Sequence, residues 1–151
     1  MDKAQKNSRY ERVYAQIAGL LDKTPFRISR MATVTAILHH KFDYFFWTGF
    51  YLLEEGELLV GPYQGSVACQ VLAYKKGVCW AAIQAAKTVV VEDVNKFPDH
   101  ISCDSRSKSE IVVPLKNSAS EVVAVLDIDS KDLNSFDETD ALWLEKIVAL
   151  I

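Results

Sequence analysis

Apolar residues recur along the first part of the chain with a helical period. Tyr10, Val13, Tyr14, Ile17, Leu20 and Leu21 form one stripe, which predicts an amphipathic helix. Residues 1–8 are polar and are expected to form a flexible N-terminus. Thr24 followed by Pro25 reads as an N-cap with proline at the first helical position, opening a second helix that runs to about His40. From Phe45 to Leu53 the chain becomes aromatic and β-rich, and Leu53-Glu54-Glu55-Gly56-Glu57-Leu58 reads as a hairpin turn. A short strand is expected near Cys69–Leu72, a helix from about Val78 to Lys87, and another short strand over Thr88–Val91. Glu110–Lys116 and Glu121–Asp129 read as strands joined by Asn117-Ser118-Ala119-Ser120. Ser135 and Glu138 have capping-box spacing. A final helix carries Leu144, Ile147, Val148 and Ile151 on one stripe. This order implies an α+β domain over residues 1–151, with a mostly antiparallel sheet and helices packed on one side.

Two strands have unusual faces. Phe45, Trp47, Gly49, Tyr51 and Leu53 share one side by period-two alternation. Glycine between two rings either leaves a bowl fit for a methyl or thioether group, or marks a bulge between packed core aromatics. In the strand over residues 121–130, Val122, Ala124, Leu126 and Ile128 make one face, and Val123, Val125, Asp127 and Asp129 the other. Paired carboxylates beyond two valines would recognise a cation, an amino group or a metal, if buried. At a solvated strand end they would cap the next turn.

Totals narrow the field. At 151 residues, half hydrophobic and a quarter charged, the chain fits one ordinary globular domain whose core needs no disulfide or metal staple. A net charge of -3 without a basic stripe argues against nucleic-acid binding. No apolar run is long enough for a membrane span, and the start of the chain has no apolar signal-peptide core, so a cytoplasmic location is expected.

Three cysteines in such a setting are buried or reactive thiols rather than a scaffold. Residues 92–108 have little periodicity and form the kind of long loop that is often functional. Cys103 lies there, in His100-Ile101-Ser102-Cys103-Asp104-Ser105-Arg106-Ser107-Lys108. Arg106 and Lys108 would favour a thiolate and Asp104 would oppose it. His100 is close enough in sequence to act on Cys103, or to serve as a hydrogen-bonding or surface residue. Cys69 and Cys79 sit in apolar surroundings and read first as buried thiols. No Cys-x-x-Cys is present, so a thioredoxin-type site and zinc ligation are unsupported. The adjacent His39 and His40 diverge on a helix and do not form a ligand pair.

Several segments together resemble the free methionine-(R)-sulfoxide reductase family, which is built on a GAF domain. They are Trp47-Thr48-Gly49-Phe50-Tyr51, the stretch GPYQGSVAC ending at Cys69, KGVC ending at Cys79, FPDHISCDSRSKSEIVVPL from Phe97 to Leu115, and VLDIDS from Val125 to Ser130. The resemblance runs from about Ser8 to the end of the chain. Trp80 departs from it, standing where the family more often has a small residue. The resemblance implies a small-molecule pocket on the sheet face away from the helices. It implies that Cys103 is catalytic, that Cys69 is its principal disulfide partner and that Cys79 is an accessory thiol. It also implies that Trp47 and Tyr51 hold the substrate methyl group, and that Glu110, Asp127 and Asp129 surround the substrate, Glu110 or one of the aspartates serving as the acid. No bound cofactor or metal is implied. The implied partners are free methionine sulfoxide, a thioredoxin-type reductant and a second copy of the chain in a homodimer. Two competing functions use the same features: a non-catalytic GAF small-molecule sensor, and a redox switch in which Cys103 and Cys69 signal to a partner.

Overall fold

Asp2 caps the first helix. Its carboxylate accepts the Gln5 backbone N–H at 2.8 Å, and the Gln5 side chain accepts the Asp2 N–H at 2.9 Å. Helix α1 (Lys3–Leu21) therefore begins inside the stretch expected to be flexible, and that expectation is corrected. The physical reason lies far along the chain. The buried Lys6 ammonium donates to Asp140 at 2.6 Å, to Asp137 at 3.2 Å and to the Ser135 carbonyl at 3.0 Å. The computed structural model describes residues 1–100 and 103–151; Ile101 and Ser102, within the long loop expected from the sequence, lie outside the described residues.

Helix α2 (Arg27–Lys41) starts later than the Thr24-Pro25 signal implied. Its N-cap is Phe26, and the Thr24 hydroxyl oxygen accepts the Phe26 N–H at 3.2 Å in the turn before it. Strands β1 (Trp47–Glu54) and β2 (Glu57–Gln64) are joined through Glu55 and Gly56, both left-handed at φ 50° and 80°, as a two-residue hairpin requires. There follow β3 (Val71–Leu72), α3 (Gly77–Ala85), β4 (Val89–Val91), a 3₁₀ turn at Val94–Lys96, β5 (Ser109–Lys116), β6 (Val122–Ser130) and α4 (Glu138–Val148). Asp137, not Ser135, caps α4, in a reciprocal box with Asp140. The Ser135 hydroxyl instead donates to the Ser130 hydroxyl at 2.7 Å.

Among the described residues, six strands form one antiparallel sheet in the order β3-β2-β1-β6-β5-β4. Alternation divides their side chains between two cores. Phe50, Ile111, Val113, Leu126 and Ile128 pack beneath α1, α2 and α4. Trp47, Tyr51, Val112 and Val125 point the other way, toward α3. Three helices thus lie on one side, as expected. The fourth, α3, lies on the opposite face against β4, β5 and β6, because Val78, Cys79 and Ala82 bury there. Val123 also breaks the expected alternation. The register shifts at Leu115/Lys116, and Val123 packs against the same core as Ala124. Among the described residues no helix is long and apolar enough to cross a membrane.

Candidate active site

The central strands carry the site. Asp127 on β6 is paired in register with Gly49 on β1, while Asp129 lies between Trp47 on β1 and Glu110 on β5. Three strands therefore deliver two aromatics and three carboxyl groups to one patch. Together with Cys79 from α3 and Cys103 from the 103–108 segment, these residues line one pocket. Cys69 is joined to Cys103 by a disulfide with a Cα–Cα separation of 5.7 Å, inside the range such a bond requires. Cys79 is a free, buried thiol.

Gly49 explains the aromatic wall. A Cβ there would stand 2.5 Å from the Trp47 ring and would collide with Tyr63. The glycine gap is therefore filled by the Trp47 indole, which stacks on Tyr51 at 5.8 Å and on Tyr63 at 5.3 Å between centroids. Gly49 also marks a register irregularity against β2. The alternative of close packing with a bulge is thus realised, and the space over Gly49 is taken by the Trp47 ring rather than left as an open bowl. The indole N–H donates to the Ser66 carbonyl at 3.0 Å, which fixes the ring's orientation. Tyr63 was missed in the sequence, although an aromatic facing a glycine on the neighbouring strand was its available signal.

Electrostatics inside the pocket favour protons over bare charges. Burial, followed by repulsion from Asp127 and Asp129, holds Glu110 well above the usual carboxylate range. Burial pushes Asp127 up to about 6, held back by Glu110 and Cys79 beside it. Asp129 is raised by burial and then by the Asp127 charge, and Cys79 by burial and then by Asp127 and Glu110. Both burial and the neighbouring carboxyls thus favour the protonated form of Glu110. Asp127 Oδ1 is buried and has no hydrogen-bond partner among the described residues. A ligand donor would satisfy it. The ligand atoms of Cys79, Glu110 and Asp127 lie within 4.8 Å of one another, a spacing that could also hold a metal ion.

The surroundings of Cys103 differ from the simple charge reading. Arg106 is engaged by Asp104, at 2.7 Å through Nη2 and 3.0 Å through Nε, so the two charges offset each other instead of competing for the thiol. His100 lines the pocket, and burial lowers its pKa. Trp80 is buried edge-on against Tyr74 at 5.0 Å and does not line the pocket, so it leaves Cys79 facing the cavity. Ser66, which also lines the pocket, gave no signal in the sequence.

The architecture is that of a GAF domain, and a family model described as GAF domain matches residues 32–151. A Dictyostelium discoideum protein named GAF domain-containing protein A is 47% identical, covering 100% of this chain and 95% of its own. The free methionine-R-sulfoxide reductase of Saccharomyces cerevisiae is 37% identical, covering 97% and 85%. The crystal structure of free methionine-R-sulfoxide reductase from Neisseria meningitidis in complex with its substrate superimposes with a TM-score of 0.92 at 40% identity, covering 99% and 88%. The chain belongs to the free methionine-R-sulfoxide reductase family of GAF-domain proteins.

Proposed function

We propose that the protein reduces free L-methionine (R)-sulfoxide to L-methionine, with Cys103 as nucleophile and Cys69 as resolving thiol. The strongest support is the position of Cys103, which faces a pocket of stacked aromatics and buried carboxyls while bonded to Cys69. Each part of the substrate has a matching surface. The methyl group packs on Trp47 and Tyr51. The ammonium group meets the ionised Asp127, whose free Oδ1 accepts from it. Asp129 completes the acidic wall. The sulfoxide oxygen meets the protonated Glu110.

In the first step the Cys103 thiolate attacks the sulfoxide sulfur while Glu110 donates a proton to the oxygen. The oxygen passes to Cys103 as a sulfenic acid, and methionine leaves with its sulfur reduced by two electrons. The Cys69 thiol then attacks Cys103, forming the disulfide and releasing water. A thioredoxin-type dithiol restores both thiols by exchange. Cys79, buried with a raised pKa, is an accessory thiol in this scheme. A methionine within a polypeptide lacks the free ammonium group and fails to satisfy Asp127. A homodimer and a cytoplasmic location belong to the same reading.

The test is methionine release from free methionine sulfoxide with dithiothreitol as reductant, beside an N-acetylated substrate. Release from the free amino acid alone, abolished in folded Cys103→Ser, is expected. Near-normal turnover by Cys103→Ser would overturn the scheme.

A further inference from the structure

The two cysteines of the disulfide lie on separate segments, and a second, non-covalent link joins those segments beside it. Ser66 stands three residues before Cys69, and Asp104 directly follows Cys103. The Ser66 hydroxyl donates to Asp104 Oδ2 at 2.8 Å. Each side is anchored in turn to Trp47, the first residue of β1, or to Phe46 just before it. On the Cys69 side, the Ser66 carbonyl holds the Trp47 indole N–H. On the Cys103 side, Arg106 donates to Asp104 through its backbone N–H at 3.0 Å and through its guanidinium, which lies 4.8 Å over the Phe46 ring. An exposed ion pair contributes little by itself. Here it orients the carboxylate, whose Oδ2 accepts from both Arg106 Nη2 and the Ser66 hydroxyl. These donors hold the Asp104 carboxyl well below the usual carboxylate range, so it stays charged.

We propose that Asp104 is a positioning residue for the redox pair: by holding Ser66 it clamps the Cys103 segment against the Cys69 segment and favours the disulfide over the dithiol. In the resolving step the Cys69 thiol displaces hydroxide from the Cys103 sulfenic acid, giving the disulfide and water, the oxidising equivalent having come from the sulfoxide. That attack needs both segments ordered together. A clamp that already orders them raises the effective concentration of one sulfur at the other. By linkage, contacts made when the segments are together and lost when they part stabilise the oxidised form. This inference rests on Cys69 and Cys103 being the working redox pair, and its test reads that pair without methionine sulfoxide.

The experiment equilibrates the protein with glutathione, in which two reduced glutathiones take up the protein disulfide to give the dithiol and oxidised glutathione. Wild type, Asp104→Ala, Asp104→Asn and Ser66→Ala are compared, with circular dichroism confirming the fold. Asp104→Ala is expected to shift the equilibrium about tenfold toward the dithiol, a potential about 30 mV more positive. Ser66→Ala should reproduce that shift, and the double variant should add little to it, since both remove one interaction. Asp104→Asn keeps one oxygen to accept from Ser66 but sets its amide N–H₂ against Arg106 donors, and its potential should fall between wild type and Asp104→Ala. If Asp104→Ala fails to fold, Ser66→Ala carries the test. Potentials of the alanine variants indistinguishable from wild type would overturn the clamp. A shifted potential in a protein that never reduces methionine sulfoxide would sink the proposed reaction and leave the clamp standing.

Discussion

Replacing Asp127 by asparagine should make the protein more stable and a poorer binder of its substrate. The carboxyl is 6% exposed, and burial is the main cause of its rise from 3.8 to about 6. At about 1.4 kcal/mol per pH unit, that rise corresponds to about 3 kcal/mol of folding free energy. The sign follows from where the proton is held more tightly. The folded protein retains it between pH 3.8 and about 6 while the unfolded chain loses it. The neutral carboxyl's advantage is complete below the lower value and lost as pH rises through the upper one. Above that range the wild-type fold carries a buried charge that asparagine removes, and Glu110 is relieved of a neighbouring anion. Asparagine can turn its oxygen toward Glu110 and Cys79 and its amide N–H₂ toward the pocket, and a neutral amide costs less to bury there than a carboxylate. Urea unfolding of the oxidised proteins should therefore show a gain of about 2–3 kcal/mol for Asp127→Asn near pH 8, shrinking toward zero near pH 4. The same variant should bind free methionine sulfoxide more weakly, because the ammonium group loses its counter-charge. Equal or lower stability of the variant at the alkaline end, or a gain independent of pH, would refute the assignment of a buried, strained carboxylate.

Glu110→Gln should lower kcat by about 10²–10⁴, because glutamine cannot donate the proton the leaving oxygen needs; wild-type kcat should fall as pH rises through the elevated Glu110 pKa, and a rate profile of the variant should lack that limb. Gly49→Ala forces a Cβ against the Trp47 ring and Tyr63, so stability should drop by about 1–3 kcal/mol and KM should rise as the ring tilts, read by urea unfolding and initial rates. Asp140→Ala removes the acceptor shared by Lys6, Tyr10 and Tyr44, and should cost about 3–5 kcal/mol, with early loss of amide protection in α1 by hydrogen exchange.

Elements with a strong period were legible from sequence, since alternation and helical stripes report directly on one-sided burial. The pairs Trp47/Tyr51 and Asp127/Asp129 could be placed on common faces for that reason, and β1 and β6 prove to be neighbours with those faces aligned. What escaped depended on partners distant in the chain. The N-terminal helix is held by Lys6 reaching Asp140, a pairing across 134 residues that no local window contains. The turn chemistry before α2 and α4 was misplaced by two residues because Thr24 and Ser135 serve tight turns ahead of the true caps. Helix α3 offered little amphipathic contrast, so its side of the sheet was not readable. The proximity of Cys69 to Cys103, and the Ser66–Asp104 link beside them, come from loops folded back over the sheet, and only the family resemblance anticipated the first of these.

The most direct test of the account is to supply racemic free methionine sulfoxide with thioredoxin, thioredoxin reductase and NADPH, and to follow both epimers by chiral analysis. The account predicts consumption that stops once the R epimer is gone, with one methionine formed per NADPH oxidised. Folded, fully reduced protein that forms no methionine would contradict it.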